Sequence, residues 1–184
     1  MLIALQKQKE NIAEYVIYMF QVEMIIRSLD FKIDDIFDHY ICQMTSIPEA
    51  RQDVKKWYEE IIAEMREKKL EEKGHIGLVH ESMDELTFLH NTLLTSLEDT
   101  EYQEVHTEAG PYIQELRDRS QSNSLSDIEV CLTGIFGKLT LRMAKKEISD
   151  ETEMAFESFT KLLAMLSLRF KDFKTGNLKF QVNN

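Results

Sequence analysis

Glu23 and Arg27 are the side chains of this sequence most in need of a chemical partner. Residues 11–27 read Asn-Ile-Ala-Glu-Tyr-Val-Ile-Tyr-Met-Phe-Gln-Val-Glu-Met-Ile-Ile-Arg, with apolar residues at helical spacing throughout. At about 100° per residue, Ile12, Val16, Met19 and Ile26 centre an apolar arc with Glu23 in its middle. Arg27 lies about 40° further round, where Ala13, Ile17, Phe20 and Met24 continue the arc. Only Glu10, Glu14, Gln21 and Ser28 remain to face water. A buried charge without a partner costs several kcal/mol or more, so both side chains must be satisfied from inside the fold.

Other helical faces supply candidates. His90 lies in an apolar stripe made by Val79, Leu86, Leu93 and Leu94, Arg142 falls between Cys131 and Ile135 on a later face, and Glu129 borders that face beside Phe136. Three helices could thereby gather Glu23, Arg27, His90, Glu129 and Arg142 around one interior point. Two chemistries fit such a cluster. One is a closed ion-pair network that fixes helix register, since Glu23 and Arg27 are spaced to pair on one helix and a guanidinium has donors to spare for carbonyls. The other is a pocket in which the arginines hold the carboxylate or phosphate of a small anionic ligand.

Metal and hydrolytic chemistry find little support in the spacing. A carboxylate-bridged di-iron centre needs Glu-x-x-His on two helices, and the one occurrence is Glu72 to His75, beside Gly74. His39, His80 and His106 stand on separate segments with no second His four residues on, so neither a metal nor another cofactor is expected. No Gly-x-Ser-x-Gly, phosphate-binding glycine loop or His-Glu-x-x-His occurs, and no catalytic residue is assigned. Cys42 and Cys131 each stand alone in an amphipathic stretch and read as reduced, buried, small hydrophobes.

The elements that must position these side chains are helices. Apolar spacing of three and four recurs almost throughout, without period-two alternation. The first helix is expected over residues 3–29, and a short second one turns Ile33, Ile36, Phe37, Tyr40, Ile41 and Met44 inward. Ser46-Ile-Pro-Glu49 reads as a capping box opening a third, with Val54, Trp57, Tyr58, Ile61, Ile62 and Met65 inward. Its charge runs, at Glu59-Glu60 and from Arg66 to Lys73, read as a solvated face. After a break at Gly74-His75-Ile76-Gly77, a fourth helix runs to about Leu97. A fifth starts near Thr100 and is expected to kink or restart at Gly110-Pro111. Residues 120–124, Ser-Gln-Ser-Asn-Ser, read as a loop. Ser126-Asp-Ile-Glu129 caps a sixth helix reaching Lys146, where Gly134 and Gly137 suggest a close helix contact or an interaction seam. Ser149 opens the last, whose inner stripe runs from Phe156 to Phe173, and residues 175–184 read as a frayed tail.

Composition narrows the partners. The 184 residues suffice for one domain with a full-sized core, while six Gly and two Pro favour helices over turn-rich architecture. A formal charge of −11 argues against direct nucleic-acid binding. The longest apolar run, Tyr15 to Phe20, is too short to span a membrane. The N-terminus lacks the pattern of a signal peptide, so a cytoplasmic location is expected.

The chain also resembles the helical bacterial family called domain of unknown function 4924, known mainly from Bacteroidetes. The likeness rests on Asn11-Ile-Ala-Glu-Tyr15, on Gln21-Val-Glu-x-x-Ile-Arg27, and on Glu129-x-Cys through Leu141-Arg142 to Lys145-Lys-Glu-Ile-Ser149. It covers nearly the whole chain, with Phe20 where the family usually has Trp. The resemblance implies an all-helical protein of a bacterial cytoplasm and implies no activity. The expectation is therefore an all-α, single-domain bundle of six to seven helices over residues 1–184, built around a largely buried N-terminal helix. The function expected of it is non-enzymatic interaction or scaffolding, with a protein partner or a second copy. A small-molecule binder or enzyme using the Glu/Arg/His cluster is the rival.

Overall fold

Asn11 divides what the apolar pattern reads as one long first helix. Its backbone is extended (φ −153°, ψ 101°) and its side-chain oxygen accepts from the Glu14 N–H, so it caps a new helix rather than continuing the old one. In the computed structural model, which describes residues 2–120 and 124–177, α1 is Leu2–Glu10 and α2 is Ile12–Ser28. The expected helix over 3–29 is thus two.

After α2 the chain reverses through Asp30 and Phe31, both in the left-handed region. That backbone is costly for a bulky residue, and Arg66 braces it by donating to the Phe31 carbonyl at 3.3 Å while its guanidinium lies 5.7 Å from the ring centroid. Helix α3 covers residues 33–44, with one π-helical turn at Phe37–Ile41 between Ile33–Ile36 and Cys42–Met44. The π turn shifts the phase of the face, so Ile36 and Ile41 are buried while Tyr40 and Met44, expected inward, are exposed. Helix α4 is Pro48–Glu67; its N-cap is Ile47 with no side-chain cap, so the capping box expected at Ser46 does not form. Pro48 starts the helix instead, its missing N–H falling where no helical partner exists.

The remaining helices are α5 (Gly77–Thr95), α6 (Thr100–Ser120), α7 (Asp127–Met143) and α8 (Asp150–Lys174). Among the described residues there are eight helices, one or two more than expected, and no strand. Helix α6 runs unbroken through Pro111, held by buried Tyr102 and Ala109 before it and Ile113 after. The Ser126 capping box of α7 forms as expected, but that helix stops at Met143, short of Lys146. Residues 121–123 of the expected loop and 178–184 of the expected tail lie outside the described residues.

Helices α5 to α8 pack on one another, and α2 packs against α5, α7 and α8, burying nine side chains from Ile12 to Ile26. The largely buried N-terminal helix that the sequence leads one to expect is found only in its second part, α2, whereas α1 is mostly exposed with Ala4 its one buried residue among 3–10. Gly134 on α7 is a close-approach point: a Cβ there would come within 3.0 Å of both Leu116 and Phe159, whereas Gly137 faces open space. The inner stripe of α8 ends at Phe170, and Phe173 is exposed. Helix α4 packs on α3, and the connection after it, residues 68–76, is bonded to α2 through Arg27.

Candidate functional site

Glu23 is fully buried and both its carboxylate oxygens are occupied. Oε2 accepts from His75 Nδ1 at 2.6 Å and Oε1 from the Ile76 N–H at 2.9 Å. Arg27, one turn further along α2, stands 3.8 Å from Oε2 and directs its other donors at carbonyls: Nε to Leu70 at 3.0 Å and Nη2 to Gly74 at 2.5 Å. The His75 ring stacks on Phe20 with centroids 4.3 Å apart. Gly74 takes a φ of +91°, and a Cβ there would meet Leu70 at 2.9 Å, so the turn requires glycine.

The far end of this connection is held from α4. Glu64 accepts from the Gly77 N–H at 2.7 Å and from Lys68 at 2.7 Å. Burial would raise the Glu64 pKa, but these two hydrogen bonds outweigh it and keep the carboxyl below its usual range. Glu23, Arg27 and Glu64 therefore clamp the turn between α4 and α5 by its backbone. Glu23 and the Nε and Nη2 donors of Arg27 are thus engaged by the turn, and not by His90, Glu129 or Arg142.

The clamped turn forms one wall of a groove. Leu5 on α1, Tyr15 and Met19 on α2, Trp57 on α4, and Ile76 and Leu78 line a cavity of about 200 Å³, with Glu60 and Glu64 also in its lining. Leu5 and Leu78 are 46% and 54% exposed, which leaves half of each leucine in water beside the opening. Burial first, then Glu23 and Glu64, raises the Tyr15 hydroxyl above its usual range, so it stays neutral.

The other three candidates do not join Glu23. Glu129 completes the α7 capping box, accepting from the Ser126 N–H and hydroxyl at 2.8 Å each. Arg142 is mostly exposed and pairs with Glu153 at 3.2 Å; the apolar arc that placed it inward runs out where α7 ends one residue later. His90 is buried, as its stripe requires, but belongs to a second cluster. There His90 Nδ1 bonds the Tyr102 hydroxyl at 2.7 Å, His106 Nε2 donates to Asp127 Oδ2 at 2.8 Å, and Arg117 donates to Asp127 Oδ1 at 2.6 Å. Burial, reinforced by His106, pushes the His90 imidazole down to about 4, so it is neutral near pH 7. The His106 bond, then Arg117, hold the Asp127 carboxyl far below its usual range against the cost of burial. Burial raises the Cys131 thiol well above its usual range, which makes it a poor nucleophile.

The sequence does not single out Arg117 or Asp127, and it offers His75 and His106 only as poorly spaced metal ligands. His75 sits in a turn, where no periodicity reports which way a side chain points. His106 was legible: it lies four residues after Tyr102 and three before Ala109, both buried, on the inner face of α6.

No curated protein and no solved structure matches the chain. The clamp, the groove and the histidine cluster all fall within residues 1–177, the stretch matched by one family model, and the chain belongs to that family, described as Domain of unknown function (DUF4924).

Proposed function

We propose that this is a non-enzymatic, cytoplasmic interaction protein that pairs with a second copy of itself through the groove between α1, α4 and the start of α5. The observation that carries this reading is the groove itself, an apolar cavity with half-exposed Leu5 and Leu78 beside it. The exposed leucines and the cavity they line lie on one patch, which is the self-complementarity a two-fold interface needs. The buried charges then serve the interface indirectly. Glu23, Arg27 and Glu64 fix the turn that walls the groove, and a rigid wall lowers the ordering cost of association. Cys42 and Cys131 are both free thiols, in keeping with a reducing compartment.

Sedimentation equilibrium on the full chain tests this. The expected result is a reversible dimer at micromolar concentration. Leu5→Glu and Leu78→Glu change exposed positions, so the monomer fold should survive, as circular dichroism would confirm. Across a two-fold each substitution occurs twice, and each should weaken the dimer by at least about 100-fold. A strict monomer at 100 micromolar (an experimental ceiling of order 10⁻⁴ M), or a dimer indifferent to both substitutions, overturns the reading.

A further inference from the structure

The second cluster draws one polar group from each of three helices: His90 from α5, His106 from α6 and Asp127 from the first turn of α7. One ring nitrogen each of His90 and His106 and an Asp127 oxygen all lie within 4.8 Å of one another, and Nε2 is the nitrogen that each ring turns to Asp127 Oδ2. An ion with bonds of about 2.0–2.1 Å sets tetrahedral ligand atoms about 3.3 Å apart, and the His106–Asp127 and His90–Asp127 separations of 2.8 and 3.9 Å bracket that value.

The ring nitrogens are already oriented. His90 Nδ1 is engaged with the Tyr102 hydroxyl, while its Nε2 stands 3.9 Å from Asp127 Oδ2. When Nδ1 donates to the Tyr102 hydroxyl, Nε2 carries the lone pair and can ligate an ion held beside Asp127. Tyr102 is itself fixed, fully buried with its N–H bonded to Asp99 at 3.0 Å. Arg117 holds Asp127 Oδ1, which leaves Oδ2 as the ligating atom. Such outer partners orient metal ligands generally.

We propose that His90 Nε2, His106 Nε2 and Asp127 Oδ2 form a three-ligand site for a first-row divalent ion of the zinc class. The neutral His106 ring donates from Nε2 in the ion-free arrangement; on coordination its proton moves to Nδ1, and Nε2 turns its lone pair to the ion. Two imidazoles and one carboxylate suit zinc, cobalt, nickel or ferrous iron, and are poor ligands for magnesium or calcium, which need several oxygens. Arg117 offsets the charge of Asp127, so the ion keeps its full double charge, as it does with three neutral histidines. The positive end of α7 also opposes a cation, so affinity should be micromolar. His106 and Asp127 have side chains 25% and 29% exposed, which gives solvent a route to a fourth coordination position.

The test uses the full chain and added cobalt(II) or zinc(II) alone. Calorimetry should find one ion per chain, and cobalt should give a visible absorption band of tetrahedral type that zinc abolishes. His106→Gln and Asp127→Asn should each weaken binding at least about tenfold, while His39→Gln, an exposed histidine bonded only to the Asp35 carbonyl, should leave it unchanged. Should either variant fail to fold, imidazole nitrogen shifts of the wild-type chain decide: zinc should move His90 and His106 and leave His39, His75 and His80 in place. Absence of stoichiometric binding, binding unchanged in both folded variants, or zinc shifts at other histidines overturns the proposal.

Discussion

Removing the Glu23 carboxylate strands the His75 Nδ1–H and the buried Ile76 N–H together, whereas removing the Arg27 guanidinium frees two loop carbonyls that can turn toward water. The first loss resembles breaking a buried pair, so Glu23→Ala should cost about 3–5 kcal/mol of unfolding free energy. Arg27→Met should cost less, about 1–3 kcal/mol, because its side chain is 21% exposed and its ionic contact to Glu23 is long. Urea unfolding of both variants checks the order; a larger loss for Arg27→Met would mean that the ion pair, not the backbone clamp, carries the network. The burial of Glu23 could be read from sequence because a helix repeats and its apolar neighbours report the direction of a side chain. The same logic misplaced Arg142, since periodicity says nothing about whether another helix reaches the last turn. The true partners of Glu23 are a turn histidine and a backbone N–H, and neither leaves a trace in an apolar pattern.

Helices are joined here by a few specific contacts that separate substitutions can probe. Asp99 accepts from the Tyr102 N–H at the start of α6 and pairs with Arg169 of α8 at 2.6 and 3.3 Å. Burial would raise the Asp99 pKa, but Arg169 and the backbone bonds outweigh it and the carboxyl is held below its usual range. A carboxyl with a lowered folded pKa stabilises the fold above its unfolded value, near 3.8, and loses that contribution as pH falls toward the folded one. Asp99→Asn should therefore flatten the fall in stability below about pH 4, read as the difference in urea midpoint between pH 5 and pH 3; an unchanged acid limb would remove Asp99 from the account. The glycines of α7 divide as sharply. Gly134→Ala drives a methyl against Leu116 and Phe159 at 3.0 Å and should cost about 1–3 kcal/mol. Gly137→Ala meets nothing within 4 Å and should stabilise α7 by about 0.5–1 kcal/mol. Thermal unfolding of the pair checks both signs. Sequence reading treated the two glycines alike because spacing alone cannot tell which one a neighbouring helix crosses. Capping was legible where the side chain itself makes the cap, at Ser126 and Ser149, and failed at Ser46, where Pro48 starts the helix, and at Asn11, hidden inside a continuous apolar pattern.

At the scale of the molecule the acidic balance and the apolar groove pull in opposite directions. Helical class was legible from composition and spacing, but the groove was not, because it is made where α1, α2, α4 and α5 meet and no single stretch of sequence contains it. Two copies, each with a formal charge of −11, repel one another, and that repulsion is long-ranged at low salt and confined to about 8 Å at physiological ionic strength. Burial of Leu5 and Leu78 is short-ranged and indifferent to screening. A dimer formed through the groove should therefore tighten several-fold as sodium chloride rises from about 0.05 to 0.5 M, with a negative heat-capacity change as the mark of apolar burial. An interface built instead on ion pairs, such as lysines of α1 against Glu60, would weaken over the same range. Sedimentation equilibrium across that salt series separates the two. Weakening with salt would move the interface off the groove even if the dimer itself were confirmed, and tightening that Leu5→Glu abolishes would place it there.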